Sequence, residues 1–483
     1  MNYGRIKIHT DAEVITEANV VAEVERAYAI HTQNYFDIKR LWDAYRGKTA
    51  VLQKKKEIRE GINFKINENH ANEIVTFHTG YVFGEPIQYV RRENTASKTD
   101  DDGIAADINA LNGYMADASK SKHDTSLAKW FYSVGTAYRL TLPNKKWTAD
   151  SDESPVSIYT LDPHNTFVVY RNTIGEEPLM AVTVVEKEDR GVKSYSVYTE
   201  DAFYEFEDMG DVTKLPHDLG MIPIIEYPAD DARLGVFEIV MTMLDAIDQL
   251  QSSRMDDIVQ CVNSFLAILG GEVTKEVHER LEEWKMLCLP EGVDAKYLSA
   301  PMQQSDIQNL KEDLLDCALT ICSVPNRNGG SSSTSDNGVA VVLRDGWQLA
   351  ETKAKATEEM FKHSEKEFLK LVLRILRSTV GTKLRLSDIT PHFTRRNYEN
   401  IAAKSQVLIA MLGCKWIHPE VAYAACGIFP DPESAYLQGK AWVEEQEKKE
   451  AERRASIGTD PLPDVQPSSD GLAGDGGNSV SEV

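Results

Sequence analysis

The sequence predicts an α+β protein that is mainly helical, and three observations carry that prediction. Two stretches, 236–269 and 339–380, repeat apolar residues every three or four positions, the spacing that lays a stripe along one helical face. Between 137 and 227 the period drops to two, as it does in strands with one buried face. Hydrophobic residues make up 42% of the 483 positions, enough for two or three domains with real cores.

Charge and cysteine usage narrow the class. The formal net charge is −23, from 76 acidic against 53 basic residues, and residues 444–483 hold only ten of those acids and four of the bases. The acidity therefore extends well beyond the tail. Such a surface is soluble but cannot as a whole grip a phosphate backbone, which needs Lys and Arg to displace counterions. The six cysteines (Cys261, Cys288, Cys317, Cys322, Cys414, Cys426) are scattered and form no CxxC pair. Reduced thiols are expected, with no disulfide framework and no zinc. The opening MNYGRIKIHTDAEV has no apolar core of a signal peptide, and no run of eighteen apolar residues occurs. An intracellular protein without a membrane span is the expectation.

Taken in order, residues 11–46 read as helices. Val20, Val24, Ala27 and Ile30, then Tyr35, Ile38, Leu41, Trp42 and Tyr45, form the apolar side, and Arg46-Gly47 breaks it. Asn69 is placed to cap a helix carrying Ile74, Val75 and Phe77, with Gly80 as its end. A strand over 87–90 follows Gly84 and Pro86, and 104–135 is helical up to Trp130, Phe131, Val134 and Gly135. Strands at 139–142, 156–161, 166–170, 180–185, 195–198 and 202–206 make an antiparallel region, punctuated by turn residues such as Asp162-Pro163. Pro223 and Pro228 lead out of it.

The 236–269 pattern, read as one helix of about 34 residues, would be a rod of roughly 50 Å. Gly270-Gly271 opens a compact insert with a short helix over 273–284, strand-like segments at 286–289 and 295–298, and a turn at 290–293. A helix over 304–323 follows, then the polar loop PNRNGGSSSTSDNG at 325–338, then the 339–380 helix and a returning strand within 384–393. Residues 398–443 are helical, broken at Gly413, Pro419, Gly427 and Pro430, and 444–456 is a charged helical extension. From Gly458 on, Pro, Gly, Ser and Asp dominate, which reads as a disordered tail.

A search for catalytic motifs returns none. Gly47-Lys48-Thr49 is like the end of a phosphate-binding loop, but Trp42 stands where its first glycine belongs. Asp100 to Gly103 is like part of a calcium loop, yet Asn109 replaces the Glu it needs, and a turn that starts a helix fits better. His278-Glu279 lacks the second histidine of a zinc protease, since Glu282 takes its place. Cys317 and Cys322 read as small core residues on a helix. His164 and His217, beside Asp residues in turns, read as surface groups. No catalytic residue, cofactor or metal is expected.

Several segments, in order, carry a resemblance. They are LWDAYRG at 41–47; Asn67, Asn69, Asn72, Ile74 and Val75 leading to Gly80-Tyr81; Gly84 with Pro86-Ile87; Asp162-Pro163 to Val169-Tyr170; and Ile222-Pro223-Ile224 ahead of a long helix. With the helix, insert, helix, loop and long-helix order, they resemble the portal proteins of tailed bacteriophages, in the siphophage branch, over about 20–445.

The resemblance implies a portal fold with wing, stem, clip and crown regions, assembling as a homo-oligomeric ring, usually of twelve subunits, at one capsid vertex. Residues 1–234 would be the wing, 235–269 a wing and stem helix, 270–303 the clip and 304–324 the second stem helix. Residues 325–338 would be the tunnel loop, 339–397 a long wing helix with its returning strand, 398–445 the crown, and 446–483 a charged extension and tail. The loop would face DNA through Asn326, Arg327, Asn328, Gly329, Gly330, Ser331, Ser332, Ser333, Thr334, Ser335, Asp336 and Asn337. The clip would dock partners through Glu272, Lys275, Glu279, Glu282, Trp284, Lys285, Glu291, Lys296 and Tyr297. Implied partners are the terminase large subunit, head-completion or connector proteins, scaffold, major capsid protein and double-stranded DNA passing without regard to sequence. The implied place is the virion, after assembly in the host bacterial cytoplasm.

The residues suit that reading. An acidic conduit avoids strong phosphate contacts, and the Gly- and Ser-rich loop, with only Arg327 and Asp336 charged, changes shape at little steric cost. The rival is an intracellular hydrolase or nucleotide-binding protein, which would need a polar preformed pocket that no motif indicates. A coiled-coil scaffold would have no use for the β region.

Overall fold

A short strand, β1 (Ile8–Thr10), begins the chain and α1 (Val20–Tyr45) follows it. The computed structural model describes residues 3–56, 61–92, 101–187, 191–262, 265–269, 294–298, 304–325, 346–394, 401–429 and 432–457. About half of these are helical. In α1 the buried residues Val20, Val24, Ala27, His31, Asn34, Ile38 and Leu41 recur every three or four positions, as the sequence pattern requires.

α2 (His70–Phe83) starts at the expected cap, where the Asn69 side chain accepts the Asn72 N–H. It does not stop at Gly80 but runs on to Phe83. Burial of Val82 and Phe83 outweighs the roughly 1 kcal/mol that glycine costs inside a helix. β2 (Gln88–Arg91), α3 (Asp101–Asp117) and α4 (Lys120–Val134) come next, so the Asp100–Gly103 stretch leads into a helix. Gly135 then turns the chain at φ +79°, where a Cβ would stand 2.0 Å from the Arg233 carbonyl oxygen; only glycine fits there.

The β region comprises β3 (Thr136–Pro143), β4 (Val156–Leu161), β5 (Thr166–Arg171), β6 (Pro178–Lys187), β7 (Val192–Tyr198), β8 (Ala202–Glu207), β9 (Thr213–Pro216) and β10 (Ile224–Pro228). It forms two sheets, ordered β1-β5-β6-β7-β8-β9 and β10-β3-β4. Pairing is antiparallel as expected except that β1 runs parallel to β5, Ile8 opposite Val169. β1 and β9 escape the sequence reading because one is three residues long and the other is exposed throughout, so neither shows alternation.

The helix read over 236–269 is shorter. A 3-10 turn (Glu238–Val240) precedes α5 (Met241–Val262), and Phe265–Leu269 is a strand, β11. A five-residue apolar run gives no periodicity by which to choose between helix and strand; pairing decides it, because β11 lies antiparallel to β12 (Asp294–Leu298). α6 (Gln304–Ile321) and α7 (Trp347–Thr379) follow, then β13 (Ile389–His392), which returns to pair with β2. α8 (Ile401–Leu412), α9 (Pro419–Cys426) and α10 (Pro432–Ile457) complete the described elements. The segments expected at 273–284, 286–289 and 325–338, the start of the 339–380 helix and the tail from 458 lie outside the described residues, apart from Pro325.

The chain divides into two units, 1–399 and 400–483. In the first, the main core joins Ile38 and Leu41 of α1, Ile74 and Val75 of α2, Phe131 of α4, Tyr227 of β10 and Phe361, Phe368 and Leu371 of α7. A second cluster packs Val20, Val24 and Ala27 against Phe167, Val182 and Val197 of the larger sheet, so α1 spans both. Each fully buried Phe contributes about 1.5–3 kcal/mol. In the second unit Ala422 and Cys426 are buried, whereas Trp416 is 96% exposed.

Candidate functional site

Along α5, Asp248, Ser252 and Asp256 recur every fourth residue and so share a face. An extended segment of the main chain lies against them. Asp256 accepts the Phe64 N–H at 2.7 Å, Ser252 the Ile66 N–H at 2.9 Å and Asp248 the Glu68 N–H at 3.0 Å. The match is geometric: four helical residues advance roughly 6 Å and two extended residues roughly 6.6 Å. Every second N–H therefore meets every fourth side chain, with the strap running antiparallel to the helix. Thr49 adds a bond to Asp248 at 2.9 Å, and Lys54 and Lys56 reach Asp256 at 3.0 and 3.2 Å. Burial opposes ionisation of Asp256, but the Phe64 N–H and the two lysines outweigh it and hold the carboxyl below its ordinary range.

α6 lies antiparallel to α5 and is joined to it by polar contacts. Arg254 donates to Gln304 at 2.6 Å and to Gln308 at 2.7 Å, while Gln251 and Lys311 converge on Glu68 at 2.6 and 2.7 Å. The far ends of the pair lead toward the β11–β12 ribbon.

α7 is positioned by buried charge. Glu365 accepts from Tyr89 at 2.6 Å and Tyr227 at 2.9 Å, and pairs with Lys120 at 2.9 Å and Arg139 at 3.1 Å. Asp124 pairs with the same Lys120 and Arg139. Two cations thus meet two anions with every charged side chain almost fully buried, the arrangement in which a buried charge is tolerated. The Arg139 guanidinium lies 4.6 Å from the Phe368 ring and 4.8 Å from that of Tyr227. Burial disfavours the Glu365 carboxylate, yet Lys120 and Arg139 prevail and lower its pKa to about 2. The network ties α4, β2, β3 and β10 to the middle of α7.

Of the expected docking residues, Lys296 and Tyr297 lie on β12, opposite Ala267 and Leu266. Glu272, Lys275, Glu279, Glu282, Trp284, Lys285 and Glu291 lie outside the described residues, as do the loop residues Asn326 to Asn337. The structure does not bring these two sets together. Gly47-Lys48-Thr49 is used within the fold, since Lys48 pairs with Asp43 and Thr49 bonds Asp248. His164 bonds Asp162 at 2.7 Å in its turn. Cys322 is buried as expected, but Cys317 is exposed, because it sits on the outer face of α6, one position before the buried Ala318 and Leu319. Among the described residues no cluster of His, Cys, Asp and Glu could hold a metal ion, and no helix is long and apolar enough to cross a membrane.

The sequence reading missed both the α5 ladder and the buried charge network. The signals were present as Asp248-x-x-x-Ser252-x-x-x-Asp256 and Lys120-x-x-x-Asp124. Neither spacing tells a solvated face from a buried one.

The sequence model of one protein family, described as "Phage portal protein, SPP1 Gp6-like", matches residues 25–458. No curated protein matches the chain. Among solved structures, a chain from the neck of an empty gene transfer agent particle aligns at 11% identity with a TM-score of 0.42, over 75% of this chain and 90% of that one. A chain from the virion of a native gene transfer agent particle aligns at 12% and 0.41 over the same shares.

Proposed function

The chain belongs to the SPP1 Gp6-like phage portal protein family, and from that premise we propose that it forms a ring at one capsid vertex through which double-stranded DNA is packaged and later ejected. The observation that carries this is the family match, which runs from within α1 through α10 and so takes in both units. In this reading α5 and α6 are the stem, residues 270–303 the clip that docks terminase and then head-completion proteins, and residues 325–338 the tunnel loop. Residues 1–234 are the wing and 398–445 the crown, twelve subunits making the usual closed ring. Scaffold and major capsid protein contact the ring during assembly. The chain positions DNA and hydrolyses nothing; ATP turnover belongs to the terminase motor.

The antiparallel α5–α6 pair supports the reading. Polar contacts from Arg254 of α5 to Gln304 and Gln308 of α6, and from both helices to Glu68, hold two rods side by side, as the wall of a channel requires. Packaging tests it. Proheads assembled with the chain, supplied with terminase, ATP and DNA, protect that DNA from nuclease, and proheads assembled without it do not. Equal protection in both would contradict the proposal, as would ATP or DNA hydrolysis by the purified chain.

A further inference from the structure

The described residues on either side of 326–345 are both fastened to one helix, α2. At the leading end α6 stops in a Schellman arrangement: the Val324 N–H donates to the Leu319 carbonyl at 2.9 Å and the Ser323 N–H to that of Thr320 at 3.0 Å. Ser323 takes φ +58°, the left-handed position that glycine usually fills. Leu319 and Val324 are both buried, the apolar contact that accompanies this stop. His78 of α2 then holds the turn. Its Nε2 lies 2.8 Å from the Cys322 carbonyl oxygen, and since a carbonyl only accepts, Nε2 carries the proton. The imidazole also packs against Tyr132, ring centres 5.3 Å apart.

At the trailing end Gly346, at φ +80°, accepts the first N–H groups of α7 from Leu349 and Ala350. A Cβ built on Gly346 would stand 3.8 Å from the Pro325 Cα. The chain therefore re-enters α7 beside the residue at which it left α6. Trp347 then packs on α2, 6.0 Å from the Phe77 ring and 5.9 Å from that of Tyr81, and the Tyr81 hydroxyl donates to Glu351 at 3.0 Å.

We propose that Phe77, His78 and Tyr81 are positioning residues that hold on α2 the residues flanking 326–345, the stretch that contains the tunnel loop, so that the two flanks stay together while DNA passes. This rests on the assignment of 325–338 as the tunnel loop. The two ends are held by different chemistry, a buried hydrogen bond and aromatic packing, and can be loosened separately.

Rings carrying P325C/G346C, treated with a short bis-maleimide cross-linker, test the idea, because a Cβ at 346 lies 3.8 Å from the Pro325 Cα. The cross-link forms, and cross-linked rings package DNA as well as untreated ones. Failure of the cross-link to form in a folded ring, or packaging lost only on cross-linking, overturns the proposal. Amide exchange on intact rings reads the anchor without DNA and without the strained Gly346 substitution. Phe77→Ala with Tyr81→Ala speeds exchange at 347–351 about tenfold while 361–376 is unchanged. His78→Ala does the same at 322–324, and Tyr81→Phe restores the trailing end. Unaltered exchange at both ends overturns the anchor. Rings that show the cross-link and the exchange changes yet never package DNA support the anchor and count against the portal reading instead.

Discussion

Glu365 receives two tyrosine hydroxyls and two cations in the middle of α7. Replacing it with Gln leaves Lys120 and Arg139 sharing Asp124 alone. E365Q is expected to lose about 3–5 kcal/mol in chemical denaturation, the cost of stranding a buried charge. Its folded pKa of about 2 lies below the ordinary 4.5, so its stabilisation is present above pH 4.5 and is lost as pH falls toward 2. Two histidines act at higher pH. Burial lowers His31 and His78 from 6.5 to about 4, so the folded state binds fewer protons than the unfolded chain. Their contribution is present above pH 6.5 and lost as pH falls through 6.5 toward 4. Stability measured between pH 6.5 and 4.5 should therefore decline, and His78→Asn should remove up to about 1.4 kcal/mol per pH unit from the slope. An unchanged slope would show that His78 is not held neutral. None of this was legible residue by residue. The i,i+4 spacing of Lys120 and Asp124 does not reveal their burial, because Glu365, the group that completes them, comes from another element.

At the scale of elements, α5 shows what a sequence pattern conceals. Its apolar stripe predicts a helix and says nothing of the other face, yet Asp248, Ser252 and Asp256 on that helix bind the main chain of 64–68. Ser252→Ala leaves the Ile66 N–H without its partner and should cost about 1–3 kcal/mol. Asp256→Ala removes the acceptor of Phe64, Lys54 and Lys56 together, and amide exchange across 64–68 should rise with α7 unaffected. Equal exchange in wild type and variant would mean that the strap is held by other contacts. Elements with strong local signals were legible: the Asn69 cap, the alternating strands β4 and β8, and the α7 stripe that buries Phe361 and Phe368. Boundaries set by tertiary partners were not. α2 passes through Gly80 because Val82 and Phe83 find a core, and the helix read to Leu269 ends at Val262 because β11 pairs with β12.

For the whole molecule, the order of segments carried more than any single motif. The family match over 25–458 agrees with a resemblance first assembled from short stretches such as Asn67–Asn72 and Gly84–Ile87. The docking and DNA-facing residues came from that resemblance rather than from residue chemistry. Lys296 and Tyr297 are the two that the described structure places, both on β12. The central claim is the ring, and cryo-electron microscopy of the purified chain, alone and co-expressed with scaffold, tests it most directly. The account predicts a closed ring of about twelve subunits, with α5 and α6 along the channel and Pro325 and Gly346 side by side at its wall. A strict monomer under every condition, or a closed ring with α5 and α6 on its outer surface, would contradict it.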